Sequence, residues 1–285
     1  MNNNESLKLN NLIYLILIVA FILCYYHTFL WLHHKYSFLD SYYSHGYLIP
    51  FVSFYLIYAK RDKIKSIKFS SDIIGLEILV FALLIHIAAV MSDINFISGF
   101  SMFFFIIGCS LYLFGRKVAK HLAFPIFFLL FMFPVPNIFI NTIGLPTKSF
   151  ATDIGLMIVN MVDIPYFREG FRINLTGTTL VVGTPCNGMK SLISFAALGM
   201  IGVYLSGLSI KKSLIIIAGV YPVAVVLNGC RIAILILIAD KYGIEKASPE
   251  SFLHDLSGVV VFIAGLAVMF LAVKVLESRK RELNN

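Results

Sequence analysis

The chain has 285 residues, 59% of them apolar and 13% charged, with a mean hydropathy of +0.87 and a formal net charge of +8. Soluble domains run at roughly 45–50% apolar and about 25% charged, so too few polar groups remain here to cover a water-soluble globule. These values exclude a disordered chain, a nucleic-acid-binding domain and a secreted disulfide scaffold, and they leave a polytopic membrane protein.

A helix that crosses a bilayer needs about 20 mostly apolar residues. Eight spans are predicted on that basis, at 12–32, 45–59, 73–91, 96–114, 121–140, 186–206, 213–239 and 252–275. The first follows a polar N-terminus with no small-residue cleavage site, so it reads as a span and not as a signal peptide. The second is short and opens on Ser44-His45-Gly46, at the membrane interface. The third carries Glu77 and His86, for which packing roles are expected. Phe133-Pro134-Val135-Pro136 breaks the fifth near its end. The stretch 141–185 mixes polar and apolar residues: its first half reads as an amphipathic helix, its β-branched and glycine-rich second half as a hairpin or irregular loop. The fold class is therefore an all-α polytopic membrane protein of about eight transmembrane helices. It forms one integral-membrane domain over 1–285, with a small extracytoplasmic insertion at 141–185.

Lys and Arg in short loops favour the cytoplasm. With the N-terminus inside, fifteen of the 23 basic residues fall on the cytoplasmic side, in Lys8 and clusters at 60–68, 116–120, 211–212 and 274–281. Six fall outside, and Lys190 and Arg231 lie within spans. Both termini are thus expected in the cytoplasm of a plasma (inner) membrane, with 141–185 outside.

Polar residues inside spans are costly and mark function. Cys186 lies in T-P-C-N-G-M-K-S, where Thr184 fits a helix cap and Pro185 a first helical position. A cysteine in the first turn of a helix is activated as thiolate by the free N–H groups there, and Lys190, one turn on, adds positive potential. Cys24, Cys109 and Cys230 have no such context, and no C-x-x-C occurs, which argues against disulfides or structural zinc. Arg231 lies in L-N-G-C-R, about 28 Å along the seventh span from Lys212, with Asn228 on the same face. His254 lies in S-P-E-S-F-L-H-D-L-S-G, in the second turn of a helix capped by Ser248, and Asp255 follows it. Cys, Arg and His thus converge on one outer depth from three spans. That set suits acyl chemistry: a thiol nucleophile, a histidine that moves protons, and an arginine that holds an oxyanion or substrate. No metal ligand spacing is matched, and no metal or other cofactor is expected. His45, on the outer side, is a candidate lining residue, and Arg168 and Arg172 are candidate partners for an acidic substrate group.

The ordered set C-N-G-M-K-S, N-G-C-R and H-D-L-S-G, with S-H-G-Y-L-I-P and F-P-V-P before it, resembles the exosortase/archaeosortase family over about residues 40–275. That family shows Cys-x-Gly-x-x-Ser, Asn-x-x-Arg and His-x-x-x-Gly in its last three spans. The resemblance implies a membrane cysteine protease or transpeptidase acting on C-terminal sorting signals of exported proteins. Such a signal is a Pro-Glu-Pro-type motif, one apolar helix and a basic tail. Carried over, Cys186 is the nucleophile, Arg231 and His254 complete the site, and Asn228 and Lys190 match the motif surroundings. Asn187 departs from the commoner serine. The implied partners are sorting-signal proteins, membrane lipids and a lipid or glycan acceptor. The C-terminal domain that some relatives carry is not expected here. Two other readings stay open on the residues alone: a transporter or channel, and a non-catalytic assembly factor for polysaccharide export.

Overall fold

A computed structural model describes residues 3–37, 41–183 and 188–282. The chain divides into two compact units, Met1–Val135 and Pro136–Asn285.

The first unit holds α1 (Asn3–Cys24), α2 (Tyr26–Ser37), a 3₁₀ turn (Ser44–Tyr47), α3 (Leu48–Ala59), α4 (Arg61–Lys65), α5 (Ile73–Met91) and α6 (Asn95–Phe128). The first apolar run is not straight. Leu15–Cys24 and Tyr26–Ser37 meet at 65°. Neither proline nor glycine stands at the bend. Instead Tyr25 is fully buried there, its hydroxyl 3.2 Å from Ser101 Oγ and its ring 4.2 Å from the His86 ring. The bend also turns the Cys24 carbonyl to His86, whose Nε2–H donates to it at 3.0 Å, while Nδ1 lies 3.0 Å from Ser98 Oγ. His86 thus has the packing role expected of it.

Helices α5 and α6 pack back to back through glycine. A Cβ on Gly75 would stand 2.3 Å from the Tyr112 nitrogen, and one on Gly108 2.9 Å from the Gly75 carbonyl oxygen. Small residues let helix backbones approach this closely. Asp72 caps α5 by accepting from the Ile74 N–H at 3.1 Å and pairs with Arg116. The apolar stretch Asn95–Met132 would run about 57 Å as one straight helix, against a hydrocarbon core of about 30 Å. Gly115, at φ 79° and ψ 171°, breaks it where the sequence separates its fourth and fifth spans. The fifth ends at Met132 and not at 140, because Pro134 and Pro136 cannot continue the hydrogen-bond ladder. Among the described residues, five helices are long and apolar enough to cross a membrane, or six with the bent pair taken as one. The expected eight is not reached on this criterion: α3, for instance, has only 12 residues.

The second unit holds α7 (Asn137–Asn160), β1 (Tyr166–Glu169), β2 (Arg172–Leu175), β3 (Thr178–Val181), α8 (Met189–Ser206), α9 (Ile210–Tyr242), α10 (Ile244–Ala247) and α11 (Phe252–Glu282). The amphipathic helix expected after 141 is α7, starting a turn earlier, after Pro136. The expected hairpin is a three-stranded antiparallel sheet in the order β1-β2-β3. Its two tight turns place Gly170 and Gly177 at φ 61° and 87°, a region open to glycine. Ile173, Leu175, Leu180 and Val182 face inward and pack with Ile232 and Ile236 of α9. Helix α7 lies against α9 where two glycines meet: a Cβ on Gly155 would stand 3.0 Å from the Gly229 carbonyl oxygen. A second apolar cluster of Phe195, Val220 and Met269 joins α8, α9 and α11.

Candidate active site

Eleven polar or charged side chains are buried among the described residues, and five of these belong to the second unit: Thr147, Thr152, Asn228, His254 and Ser257. Burying a polar group costs free energy unless it is bonded, so each of these needs a partner. Four of the five gather around α9 and α11.

His254 sits at the start of α11 and is 5% exposed. The helix begins at Phe252, not at Pro249, because Ser251 supplies the cap: its Oγ accepts from the Leu253 N–H at 3.1 Å. His254 is therefore in the first turn and not the second. Its Nδ1 lies 3.1 Å from the Ala247 carbonyl oxygen. A carbonyl only accepts, so Nδ1 carries the proton and the neutral ring has its lone pair on Nε2. Asp255, next in the chain, is exposed on α11 and shows no bond to the imidazole. It lies at a helix N-terminus, where a carboxylate is favourable.

Arg231 reaches the same turn of α11 from α9. Its Nε donates to Ser257 Oγ at 3.4 Å, and the Ser257 hydroxyl donates to the His254 carbonyl at 2.6 Å. The guanidinium also lies on Gly258, where an added Cβ would stand 3.4 Å from its terminal nitrogen. This gives His-x-x-x-Gly a physical reading: the histidine and the glycine are one turn apart, and the glycine gives Arg231 a flat bed. Asn228, one turn before Arg231 on α9, is 4% exposed and lies against Gly188. A Cβ on Gly188 would stand 3.2 Å from Asn228 Nδ2 and 3.3 Å from Thr147 Cγ2.

Gly188, at φ 73°, is the residue from which α8 starts. Helix α8 runs from Met189. Thr184, Pro185, Cys186 and Asn187 lie outside the described residues. Lys190 is in the first turn of α8 and exposed. The relation expected between Cys186 and Lys190 therefore falls outside the described residues as well.

A cavity of about 240 Å³ is lined by Thr179–Gly183 of the β3 segment, Ile232 and Leu235 of α9, Ala247 and His254. Of the other expected site residues, Arg168 is engaged within its own segment. Its Nε donates to the Gly170 carbonyl at 2.8 Å and its guanidinium pairs with Asp153. Arg172 is exposed on β2. His45 is half-buried in the 3₁₀ turn of the first unit. Sequence reasoning missed Ser257, Thr147 and the Ala247 carbonyl. Ser257 stands inside the quoted H-D-L-S-G motif, and its signal was its position one turn after the histidine.

The model of the transmembrane exosortase family matches residues 31–271. Comparison with curated proteins and with solved structures finds no match.

Proposed function

The chain belongs to the transmembrane exosortase family and is an integral membrane protein; we propose that it is a membrane cysteine peptidase and transpeptidase. In this reading it cleaves C-terminal sorting signals of exported proteins, of the Pro-Glu-Pro type with an apolar helix and a basic tail. Cleavage takes place at the extracytoplasmic face, with both chain termini cytoplasmic. The observation that carries the reading is His254: buried, held in one tautomer by Ala247 and opening on a cavity.

Cys186 is the nucleophile. It stands two residues before Gly188 in the chain, in the Cys-x-Gly-x-x-Ser motif. The Cys186 thiol gives its proton to His254 Nε2, and sulfur attacks the scissile carbonyl carbon. Arg231 faces the oxyanion or the acidic group of the motif. The C–N bond then breaks, and His254 returns the proton to the departing amine. An acceptor amine, hydroxyl or water loses its proton to His254 as it attacks the thioester, and the thiolate leaves and is reprotonated. The basic tail of the substrate stays inside by the charge bias that orients the enzyme.

Co-expression with a reporter ending in such a signal tests this. Processing is expected with wild type and absent with Cys186→Ala at equal membrane levels. Processing that survives in the alanine variant removes Cys186 as nucleophile.

A further inference from the structure

The sheet of the second unit has two edges, and β3 forms the one beside His254. Residues of an antiparallel pair alternate between bonding their partner strand and pointing away from it. The Val182 N–H donates to the Phe171 carbonyl at 2.9 Å. With Arg172 opposite Val181 and Ile173 opposite Leu180, this register turns the main-chain groups of Thr178, Leu180 and Val182 toward β2. The N–H and C=O of Thr179 and Val181 therefore point out of the sheet. Among the described residues, neither makes a main-chain hydrogen bond beyond it.

The cavity follows this edge. Its wall includes Thr179, Leu180, Val181, Val182 and Gly183 without a gap. A cavity over one face of a strand meets only every second residue, since side chains alternate. Five consecutive residues place the cavity along the edge itself. Ile232, Leu235 and Ile244 give it an apolar side, and His254 lines it too.

We propose that the β3 edge is a docking strand for an extended peptide. The peptide adds as a fourth strand and pairs with the main-chain groups of Thr179 and Val181. Alternate side chains enter the apolar cavity, and the backbone passes His254. The spacing supports this occupant: outward groups two residues apart recur at about 6.8 Å, the repeat of an extended chain. A lipid chain fills an apolar cavity but offers those groups no partner, which is costly in apolar surroundings. The proposal rests on the reading of this site as a peptide-processing centre and adds how the substrate is held.

The test measures binding without chemistry. Full-length Cys186→Ala protein in detergent is titrated with a fluorescent seven-residue peptide of alternating Thr and Val. The same peptide N-methylated at every second residue, in each of the two registers, is titrated beside it. The unmethylated peptide is expected to bind saturably. One methylated register should lose about tenfold in affinity, and the other should bind nearly as the parent does. Val181→Pro removes only an outward N–H, which an edge strand tolerates, and should lose about tenfold. Absence of saturable binding, equal affinity for all three peptides, equal loss in both registers, or normal binding by a Val181→Pro protein with an unchanged Tm each overturns the proposal. Equal affinity identifies a lipid-like apolar occupant. If Val181→Pro does not fold, the methylated pair decides alone. Reporter processing judges Cys186 independently, so failure of docking and failure of the nucleophile assignment are told apart.

Discussion

His254 Nδ1–H donates a hydrogen bond to the Ala247 carbonyl at 3.1 Å, across the turn between α10 and α11. The bond orients the ring and leaves the basic lone pair on Nε2. In the proposed reading Nδ1 is structural and Nε2 moves protons. Asn separates them experimentally, because its Nδ2 stands where Nδ1 does and still donates, while the base is gone. His254→Asn is expected to keep the Tm of the purified protein near wild type. Reporter processing should fall by about 10²–10⁴-fold, the usual contribution of a general acid–base. Normal processing in this variant removes His254 from the chemistry.

Ser257 joins the arginine to the histidine helix, accepting from Arg231 Nε at 3.4 Å and donating to the His254 carbonyl at 2.6 Å. It is a positioning residue. Ser257→Ala leaves one donor of the half-buried Arg231 guanidinium without this acceptor, an effect of about 1 kcal/mol. Processing should drop several-fold with membrane level unchanged. Thr retains the hydroxyl, and its Oγ1 also bonds a preceding helical carbonyl, so Ser257→Thr should restore most of the rate. Equal rates for Ala and Thr count against the link.

Much of this arrangement was legible in the sequence, for a physical reason. A bilayer demands long apolar runs, so α5, α8, α9 and α11 stand out, and a buried Asn, Arg or His within or beside them is conspicuous. Helix starts were less legible. Ser248 and Ser251 are both able to cap α11, and only the bond from the Leu253 N–H selects Ser251. The bend at Tyr25 carries no proline or glycine and arises from long-range partners, Ser101 and His86, that no local pattern announces. Ser257 was hidden because a serine in an apolar helix usually bonds its own preceding turn, as this one also does.

The contact of α7 with α9 is a backbone contact. A Cβ on Gly229 would stand 2.6 Å from Ile154 Cγ2 and 3.0 Å from the Ala151 carbonyl oxygen. Gly229 lies between Asn228 and Arg231, so forcing the helices apart also displaces the site. Gly229→Val is expected to cost about 1–3 kcal/mol through overpacking, read as a lowered Tm in detergent, and to reduce processing further than stability alone accounts for. Gly219 offers the control: nothing lies within 4 Å of a Cβ built there. Gly219→Ala should leave both measurements near wild type.

Asp72 and Arg116 tie the start of α5 to the residue just after the break in α6. The hydrogen bond from Arg116 holds the Asp72 carboxyl below its ordinary value of 3.8, with the Ile74 N–H acting in the same direction. The fold therefore favours the ionised form. Its contribution is present above the ordinary value and is lost as pH falls through the lowered one. Asp72→Asn keeps a capping oxygen for the Ile74 N–H but removes the charge. The Tm of wild type in detergent should exceed that of Asp72→Asn at pH 7. The gap should begin to shrink as pH falls below 3.8 and close once pH is under the lowered value, where Asp72 is as neutral as the Asn that replaces it, and high salt should narrow it at pH 7, since Arg116 is largely exposed. A gap that persists unchanged at low pH assigns the difference to the cap and not to the ion pair.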